Sequence, residues 1–496
     1  MPKYRWKTRP YVHQAQAVKK LLSTGFGGAL LMAPRTGKTK TLIDYASCLH
    51  AMGKAGRVLI FCPLSVIGVW EQEIAAHCPF PTRVIVWDKE ARKGGVPLPG
   101  YDGKDVLNFV IINYDALSTP GAIIEKDEWG NVRRSKSRGG RFTVFKALYR
   151  WQPELIALDE SHRIKSPSAV KSRMLHKLGK VAPYRVIMTG TVVTKKKRVF
   201  DIWSQWKFLY PDRFPMPFRD FKDTYGVWRT MEGGWQKWMR NKNETALHDQ
   251  IHGDGFAISR EECFDLPPRR TQIIPIDLVE SAGPYDQMAQ EMVAQINSGE
   301  VTIASIALVQ GLRLRQMTSG IAKTEPTGEY PKGRLVRIGH EKLEAMEDIL
   351  SDLFEADEKV VVGAHFVGDI EAIRKICEKL KVKVFVLRGG VPRKQRDADI
   401  LAFRRHSGAA CFVAQPQAAS LGIDLSTASI CIWFSLTPSY VDYTQFEDRI
   451  ALSNRSTIFM YLLAVGTVDE LLYETLQEDG DVAKAIMASP ERLLRE

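Results

Sequence analysis

The chain has 496 residues, 45% hydrophobic and 26% charged, which is enough for two or three domains with cores of their own. Its 70 Lys and Arg against 57 Asp and Glu leave a net charge of +13, which points to a polyanionic partner, nucleic acid ahead of an anionic membrane surface. No apolar run reaches the ~18 residues of a membrane span, Met1–Arg9 has no signal-peptide core, and seven scattered cysteines without C-x-x-C spacing speak against a disulfide framework or a zinc site.

In chain order, the first repeated strand-then-helix stretch runs from about Ala29 to Phe208. Its strand candidates are Ala29–Met32, Val58–Cys62, Val84–Trp87, Phe109–Ile112, Leu155–Leu158 and Arg185–Met188. Each is a short Val, Ile or Leu run, as expected of parallel strands buried on both faces. Ser118–Arg150 interrupts it with Arg133, Arg134, Lys136, Arg138 and Arg141 and reads as a solvent-facing basic loop, either touching phosphate or merely solubilising. Pro211–Gly255 is rich in Trp and Phe, and Gly226–Trp238 alternates around Gly233-Gly234 like a hairpin. Leu266-Pro267-Pro268 reads as a stiff link. A second α/β stretch, about Lys342 to Glu478, offers Lys359–Ala364, Lys383–Leu387, Cys411–Ala414, Ile430–Phe434 and Ile458–Leu463. The expected class is α/β with two tandem lobes: residues 1–214, an insertion and linker at 215–270, and residues 271–496.

Chemistry concentrates at two places in the first lobe. Ala29–Thr39 is a strand running into a loop that opens a helix, and Gly37-Lys38-Thr39 is the end of a Walker A phosphate loop. Glycine lets backbone N–H groups wrap a phosphate. Lys38 then reaches the β/γ oxygens and the Thr39 hydroxyl ligates Mg²⁺. Arg35 and Thr36 complete the loop. Leu155–His162 is an apolar strand stopping at two acids: Asp159 suits Mg²⁺ held through water, and Glu160 suits the orientation or deprotonation of an attacking water. Adjacent acids at a strand end are often plain helix caps, but the pairing with Gly37-Lys38-Thr39 in one lobe favours chemistry.

With these residues in view, the chain resembles superfamily 2 helicases, specifically the chromatin-remodeller-like Swi/Snf branch, from Arg9 to about Leu476. Arg9–Gln14 resembles the adenine-reading segment, with Gln14 as its glutamine. Phe61–Ser65 with Trp70 and Glu73 resembles motif Ia, Ile111–Tyr114 motif Ib, and Asp159–Lys165 the branch's own acidic box ending in Arg-Ile-Lys. Met188–Thr191 resembles motif III, and Asp201–Ser204 continuing to Phe208–Pro211 resembles the branch's segment after motif III. Gly389 or Gly390 with Arg396 and Phe403 resemble the segment after motif IV. Ala418–Leu425 resembles motif V, Gln445–Arg449 opens motif VI, and Gly466-Thr467 with Glu470 comes next.

The resemblance implies two RecA-like lobes with parallel sheets flanked by helices, an ATP cleft between them, and ATP with Mg²⁺ as cofactors. It implies contacts to the nucleic-acid track by Ser65, Asn113, Tyr114 and Ser420, and places Lys195, Lys196 and Lys197 beside that track. The Trp-rich hairpin, with Trp228, Trp235 and Trp238 among Arg229, Lys237, Arg240 and Lys242, has two readings. It is a stacking platform for nucleic acid, or a hairpin packing its indoles on the first lobe. Tyr225-Gly226 and Arg260 resemble a segment of the annealing-helicase type.

Three positions depart from the pattern: Arg35 stands for a glycine of the phosphate loop, Val192 for a proline after motif III, and Leu452 for the second arginine of motif VI. Arg449 remains. Arg455, two turns further if the helix continues, is the candidate to do the arginine finger's work on the γ-phosphate while Arg449 bonds across the lobe interface; the alternative is that one finger is lost and turnover is slow.

The expected function is a DNA-dependent ATPase that translocates on double-stranded DNA, remodels branched DNA or displaces bound protein. A strand-separating DNA or RNA helicase and a nucleic-acid-binding protein with decayed ATPase are the alternatives. A monomeric motor of the compact bacterial or bacteriophage type, cytoplasmic and without membrane attachment, is the accompanying expectation.

Overall fold

The computed structural model describes residues 5–33, 35–100, 105–117, 123–126, 132–135, 143–190, 199–211, 216–230, 234, 236–253, 255–259, 262–263, 269–297, 304–324, 334–419, 423–450, 456–478, 485–486 and 489–495. Lys195, Lys196, Lys197, Trp235, Arg260, Ser420, Leu452, Arg455 and the Leu266–Pro268 link fall outside them, as does Val192. The chain divides into two units, Met1–Asp265 and Leu266–Glu496.

The sheet of the first unit runs, edge to edge, Gly255–Ile258, Gly27–Met32, Tyr184–Met188, Leu155–Asp159, Arg57–Cys62, Leu107–Asn113 and Thr82–Val86. All six pairings are parallel. Because side chains alternate along a strand, each central strand feeds two cores. Leu59 and Phe61 pack with Ile156, Leu158, Val110 and Ile112 on one face. Val58, Ile60 and Cys62 pack with Leu155, Ala157, Phe109 and Ile111 on the other. Apolar runs buried on both faces are what made these strands readable.

The second unit repeats the plan with the order Arg269–Ile276, Thr457–Ala464, Ile430–Trp433, Lys359–Gly363, Ala410–Ala414 and Lys383–Leu387, again all parallel. Val361, Phe412, Cys431 and Trp433 line one core, and Val360, Val362, Val413 and Ile432 the other.

Every expected strand is present in these sheets, and two unexpected strands join them. Gly255–Ile258 and Arg269–Ile276 are edge strands, one only 4 residues long and the other largely solvent-facing, so neither carries the fully buried apolar run. The Ser118–Arg150 loop is corrected. Thr143–Trp151 is a helix with Leu148 buried and Trp151 Nε1 donating to the Pro99 carbonyl at 2.7 Å, and Ile123–Lys126 pairs with Val132–Ser135. Arg133 and Arg134 lie in the second of these strands, and Lys136, Arg138 and Arg141 fall outside the described residues. The Trp-rich hairpin is observed, Gly226–Thr230 against Gln236–Asn241, antiparallel.

Candidate active site

Parallel sheets present their chemistry at the C-terminal ends of the strands, and the first unit does so on one edge. Gly27–Met32 and Leu155–Asp159 lie on either side of Tyr184–Met188. The phosphate loop, motif III and the acidic box therefore emerge side by side, and the Thr189 amide donates to the Leu30 carbonyl at 3.1 Å. The next two strands, Arg57–Cys62 and Leu107–Asn113, end in the 3₁₀ turns Leu64–Val66 and Tyr114–Leu117. The first turn carries Ser65, and the second comes directly after Asn113.

The phosphate loop is shaped by two left-handed residues, Arg35 at φ 63° and Gly37 at φ 86°, before the helix Lys38–Ala51 begins. Glycine adopts that conformation freely and arginine does not. Lys38 Nζ donates to the carbonyls of Met32 (2.7 Å) and Ala33 (3.1 Å), which holds the ammonium across the loop. Thr39 occupies the second position of that helix.

Thr36 is fixed from both sides. Its hydroxyl donates to the Ala33 carbonyl at 2.8 Å. Its own carbonyl accepts from His13 Nε2 (2.8 Å) and Gln14 Nε2 (3.3 Å). Gln14 Oε1 accepts from the Tyr11 amide at 3.0 Å, so both ends of the Gln14 amide have partners within the chain. The buttress from His13 was not legible in the sequence; its signal was the adjacency of two polar residues on the buried face of the helix Val12–Thr24.

Asp159 closes a wholly buried strand. Burial, and then the neighbouring charge of Glu160, push its carboxyl up to about 6, while the Trp70 indole and the Lys38 ammonium pull it down. A buried carboxylate beside a lysine and a hydroxyl-bearing loop fits a divalent cation, whose charge would offset the desolvation. Among the described residues no group of three or more His, Cys, Asp or Glu could hold a metal by itself. Mg²⁺ takes one or two protein ligands and completes its shell with phosphate and water; here Asp159 and Thr39 would hold it.

Glu160 sits in the left-handed region at φ 54° and caps the 3₁₀ turn Ser161–Ile164, with its Oε2 3.3 Å from His162 Nδ1. Ser161 donates to Gln205 Oε1 at 2.6 Å, tying this turn to the helix Asp201–Leu209. Tyr114 is inside the core, not on a surface. Its hydroxyl donates to the Asp159 carbonyl at 2.7 Å, and burial and then the Asp159 charge push its phenol well above the usual range.

In the second unit Arg449 caps the helix Tyr440–Asp448, and its carbonyl accepts from the Leu425 amide at 3.1 Å, joining motifs V and VI. The helix ends at Asp448 and residues 449–450 form a turn. Arg455 lies outside the described residues. Glu447, just before, is buried. It accepts from Trp433 Nε1 (3.1 Å) and the Tyr461 hydroxyl and pairs with Arg269 at 2.6 Å. At the strand ends, Gln415 Nε2 donates to the His365 carbonyl (3.2 Å) while its Oε1 accepts from the Gly389 amide (3.2 Å).

A phosphate loop and an acidic box flanking one strand of a parallel sheet, with a second parallel α/β unit after them in the chain, define a two-unit helicase-like ATPase. The SNF2-related domain matches residues 13–319 and the helicase conserved C-terminal domain residues 341–452. The chain belongs to the SNF2-related family of superfamily 2 ATPases.

It is 23% identical over 478 residues to the SWI/SNF-related matrix-associated actin-dependent regulator of chromatin subfamily A-like protein 1 homolog of Caenorhabditis elegans, covering 94% of this chain and 60% of that one. It is 22% identical over 444 residues to the ISWI chromatin-remodeling complex ATPase CHR11 of Arabidopsis thaliana (87% and 38%). It is 23% identical over 386 residues to the DNA annealing helicase and endonuclease ZRANB3 of Mus musculus (76% and 33%). The chain thus spans less than two thirds of these relatives. The structure of the Sulfolobus solfataricus SWI2/SNF2 ATPase core in complex with dsDNA aligns over 99% of this chain and 96% of its own, with 23% identity and a TM-score of 0.43. No helix among the described residues is long and apolar enough to cross a membrane.

Proposed function

We propose that this protein is a DNA-dependent ATPase that translocates on double-stranded DNA and remodels branched DNA or displaces bound protein. The observation that carries the reading is Lys38 and the Asp159-Glu160 pair at the C-terminal ends of two strands that flank a third, with the loops at Ser65 and Asn113 on the same sheet edge. The phosphates of ATP would lie on Gly37 and Lys38, and Thr39 and Asp159 would hold the Mg²⁺ that supplies charge neutralisation there. Glu160 orients the attacking water. The family pattern brings a motif VI arginine to the γ-phosphate, the role taken here by Arg455 with Arg449 as its companion. Backbone contacts at the track make the motor indifferent to sequence. The name of the ZRANB3 relative, a DNA annealing helicase, supports the branched-DNA part. We take the motor to act as a monomer in the cytoplasm, without a membrane.

The test is the steady-state ATPase rate without polymer and with single-stranded DNA, duplex DNA, forked DNA and RNA, with Lys38→Ala and Glu160→Gln as inactive controls. Stimulation by duplex or fork of tenfold or more is expected. Stimulation by single strands or RNA alone would point to a strand-separating helicase. A wild-type rate equal to the controls on every polymer would leave a DNA-binding protein without a motor.

A further inference from the structure

Two side chains hold Asp159, and both follow strands that lie, in the order of the sheet, on the far side of the Asp159 strand from Gly27–Met32. Trp70, in the helix Ile67–His77, donates its indole N–H to Asp159 Oδ2 at 3.0 Å. Tyr114, directly after Asn113, donates its hydroxyl to the Asp159 main-chain carbonyl at 2.7 Å. Each is only 1% exposed. Tyr114 reaches past an entire strand, because Arg57–Cys62 separates Leu107–Asn113 from Leu155–Asp159 in the sheet, and its ring packs on Phe61 of that strand at 5.7 Å.

Both donors are buried, and a buried donor that loses its acceptor is strongly disfavoured. Asp159 therefore cannot shift without Trp70 and Tyr114 moving with it. The indole fixes one carboxylate oxygen and so sets the rotation of the group; the phenol fixes the backbone that carries it. These two residues also border the loops assigned to the polymer. The Trp70 helix continues from the turn Leu64–Val66 that holds Ser65, and Tyr114 opens the turn immediately after Asn113.

We propose that Trp70 and Tyr114 are positioning residues that aim Asp159 at its divalent cation and make that aim depend on the loops at 62–66 and 113–117. The second half rests on the DNA-motor reading; the first half does not. Two buried hydrogen bonds and one ring contact link these loops physically to Asp159, and whether they couple is what the experiment reads.

The experiment reads binding, not turnover. A fluorescent ADP analogue is titrated onto the full chain while Mg²⁺ is varied, with and without a short duplex. Trp70→Phe is expected to raise the Mg²⁺ needed for half-maximal binding about fivefold. Trp206→Phe is the matched control: Trp206 is equally buried in the same unit, and its Nε1 has no hydrogen-bond partner among the described residues. It should lose comparable packing and keep the wild-type Mg²⁺ requirement.

In the wild type, duplex should lower the Mg²⁺ requirement. Tyr114→Phe should abolish that effect while its affinity for the duplex stays at the wild-type value. A Trp70→Phe requirement equal to that of Trp206→Phe overturns the positioning role, and a wild-type duplex effect in Tyr114→Phe overturns the coupling. Should Trp70→Phe not fold, Tyr114→Phe, which removes one oxygen, also reads the positioning role: a raised Mg²⁺ requirement without duplex is expected, and a wild-type requirement overturns it. A wild type that neither binds duplex nor responds to it rejects the DNA motor instead, and leaves the Trp70 comparison standing.

Discussion

The side-chain amide of Gln14 occupies the space that a β-carbon on Gly37 would need: built there, such an atom would lie 2.0 Å from Gln14 Nε2. The glutamine is thus packed under the phosphate loop, with its amide spent on the Thr36 carbonyl and the Tyr11 amide. Gly37→Ala meets both this clash and a φ of 86°, and is expected to abolish nucleotide binding. Gln14→Ala should raise KM several-fold for ATP and GTP alike, because what is lost is support of the loop. A rise for ATP alone would make Gln14 a reader of adenine.

Arg35 separates stability from function. An arginine in the left-handed region costs roughly 1 kcal/mol that glycine does not. Arg35→Gly is therefore expected to leave the fold as stable or up to ~1 kcal/mol more stable, by thermal unfolding without nucleotide. If the guanidinium serves the phosphates, the same variant raises KM for ATP while the midpoint rises. A midpoint that rises with KM unchanged would assign Arg35 to loop shape alone.

Much of this was legible because buried parallel strands announce themselves as apolar runs, and because Gly37-Lys38-Thr39 and Asp159-Glu160 each end such a run. What the sequence hid has a common cause: it depends on which strands become neighbours. The indole of Trp70 marks a motif in the chain, but its acceptor is Asp159, whose strand pairs with the one before the Trp70 helix. Tyr114 looked like a track residue by position and is a core residue by burial. Gly255–Ile258 escaped notice because a short edge strand needs apolar residues on only part of its surface.

Asp44 gives a pH dependence with a definite sign. Burial pushes its carboxyl up to about 6, against the lowering effect of its partner Lys40, 2.5 Å away. One of its oxygens, Oδ1, is buried without a hydrogen bond among the described residues. The folded chain thus holds the proton more tightly than the unfolded chain, so this group's stabilising contribution is fully present below about pH 4 and is lost as pH rises through about 6. Relative to Asp44→Asn, the wild type should lose on the order of 2 kcal/mol between those limits. Denaturant titrations of both proteins across that range check it. A difference that does not change with pH would mean that Asp44 is ionised in the fold throughout.

Glu447 anchors the helix Tyr440–Asp448, which Arg449 caps. It is buried with Trp433 Nε1 and the Tyr461 hydroxyl as donors and Arg269 as its ion partner. Glu447→Gln removes the charge but leaves Arg269, which burial would lower and the Glu447 charge raises, with a net rise above its usual range. Breaking a buried pair from one side typically costs about 3–5 kcal/mol. Arg269 is partly exposed, so about 2–3 kcal/mol is expected by denaturation. A loss below about 0.5 kcal/mol would place the pair among surface contacts.

The hairpin decides between stacking and phosphate contact. Trp228 and Trp238 stand opposite each other in register and both meet Phe200, at 5.4 and 6.4 Å. Trp228 Nε1 donates to the Lys222 carbonyl at 3.0 Å, and the Lys222 ammonium lies 5.1 Å from the same ring. These indoles are committed to packing. Arg229 stands opposite Lys237, and a register shift after Trp238 sets Arg240 opposite Val227, so Arg229 and Arg240 belong to the other face by alternation. Two arginines on one hairpin face are unfavourable neighbours unless a counter-ion joins them, and a DNA phosphate is such a counter-ion. Arg229→Glu with Arg240→Glu is expected to weaken duplex binding about tenfold at low salt and to reduce the slope of log K against log salt by about 2, one per phosphate contact. Trp228→Ala should cost about 3 kcal/mol of stability and leave that slope unchanged. Fluorescence anisotropy over a salt series reads both. If the tryptophan variant weakens binding while the charge reversals do not, the hairpin is a stacking platform whose rings must leave Phe200 to work.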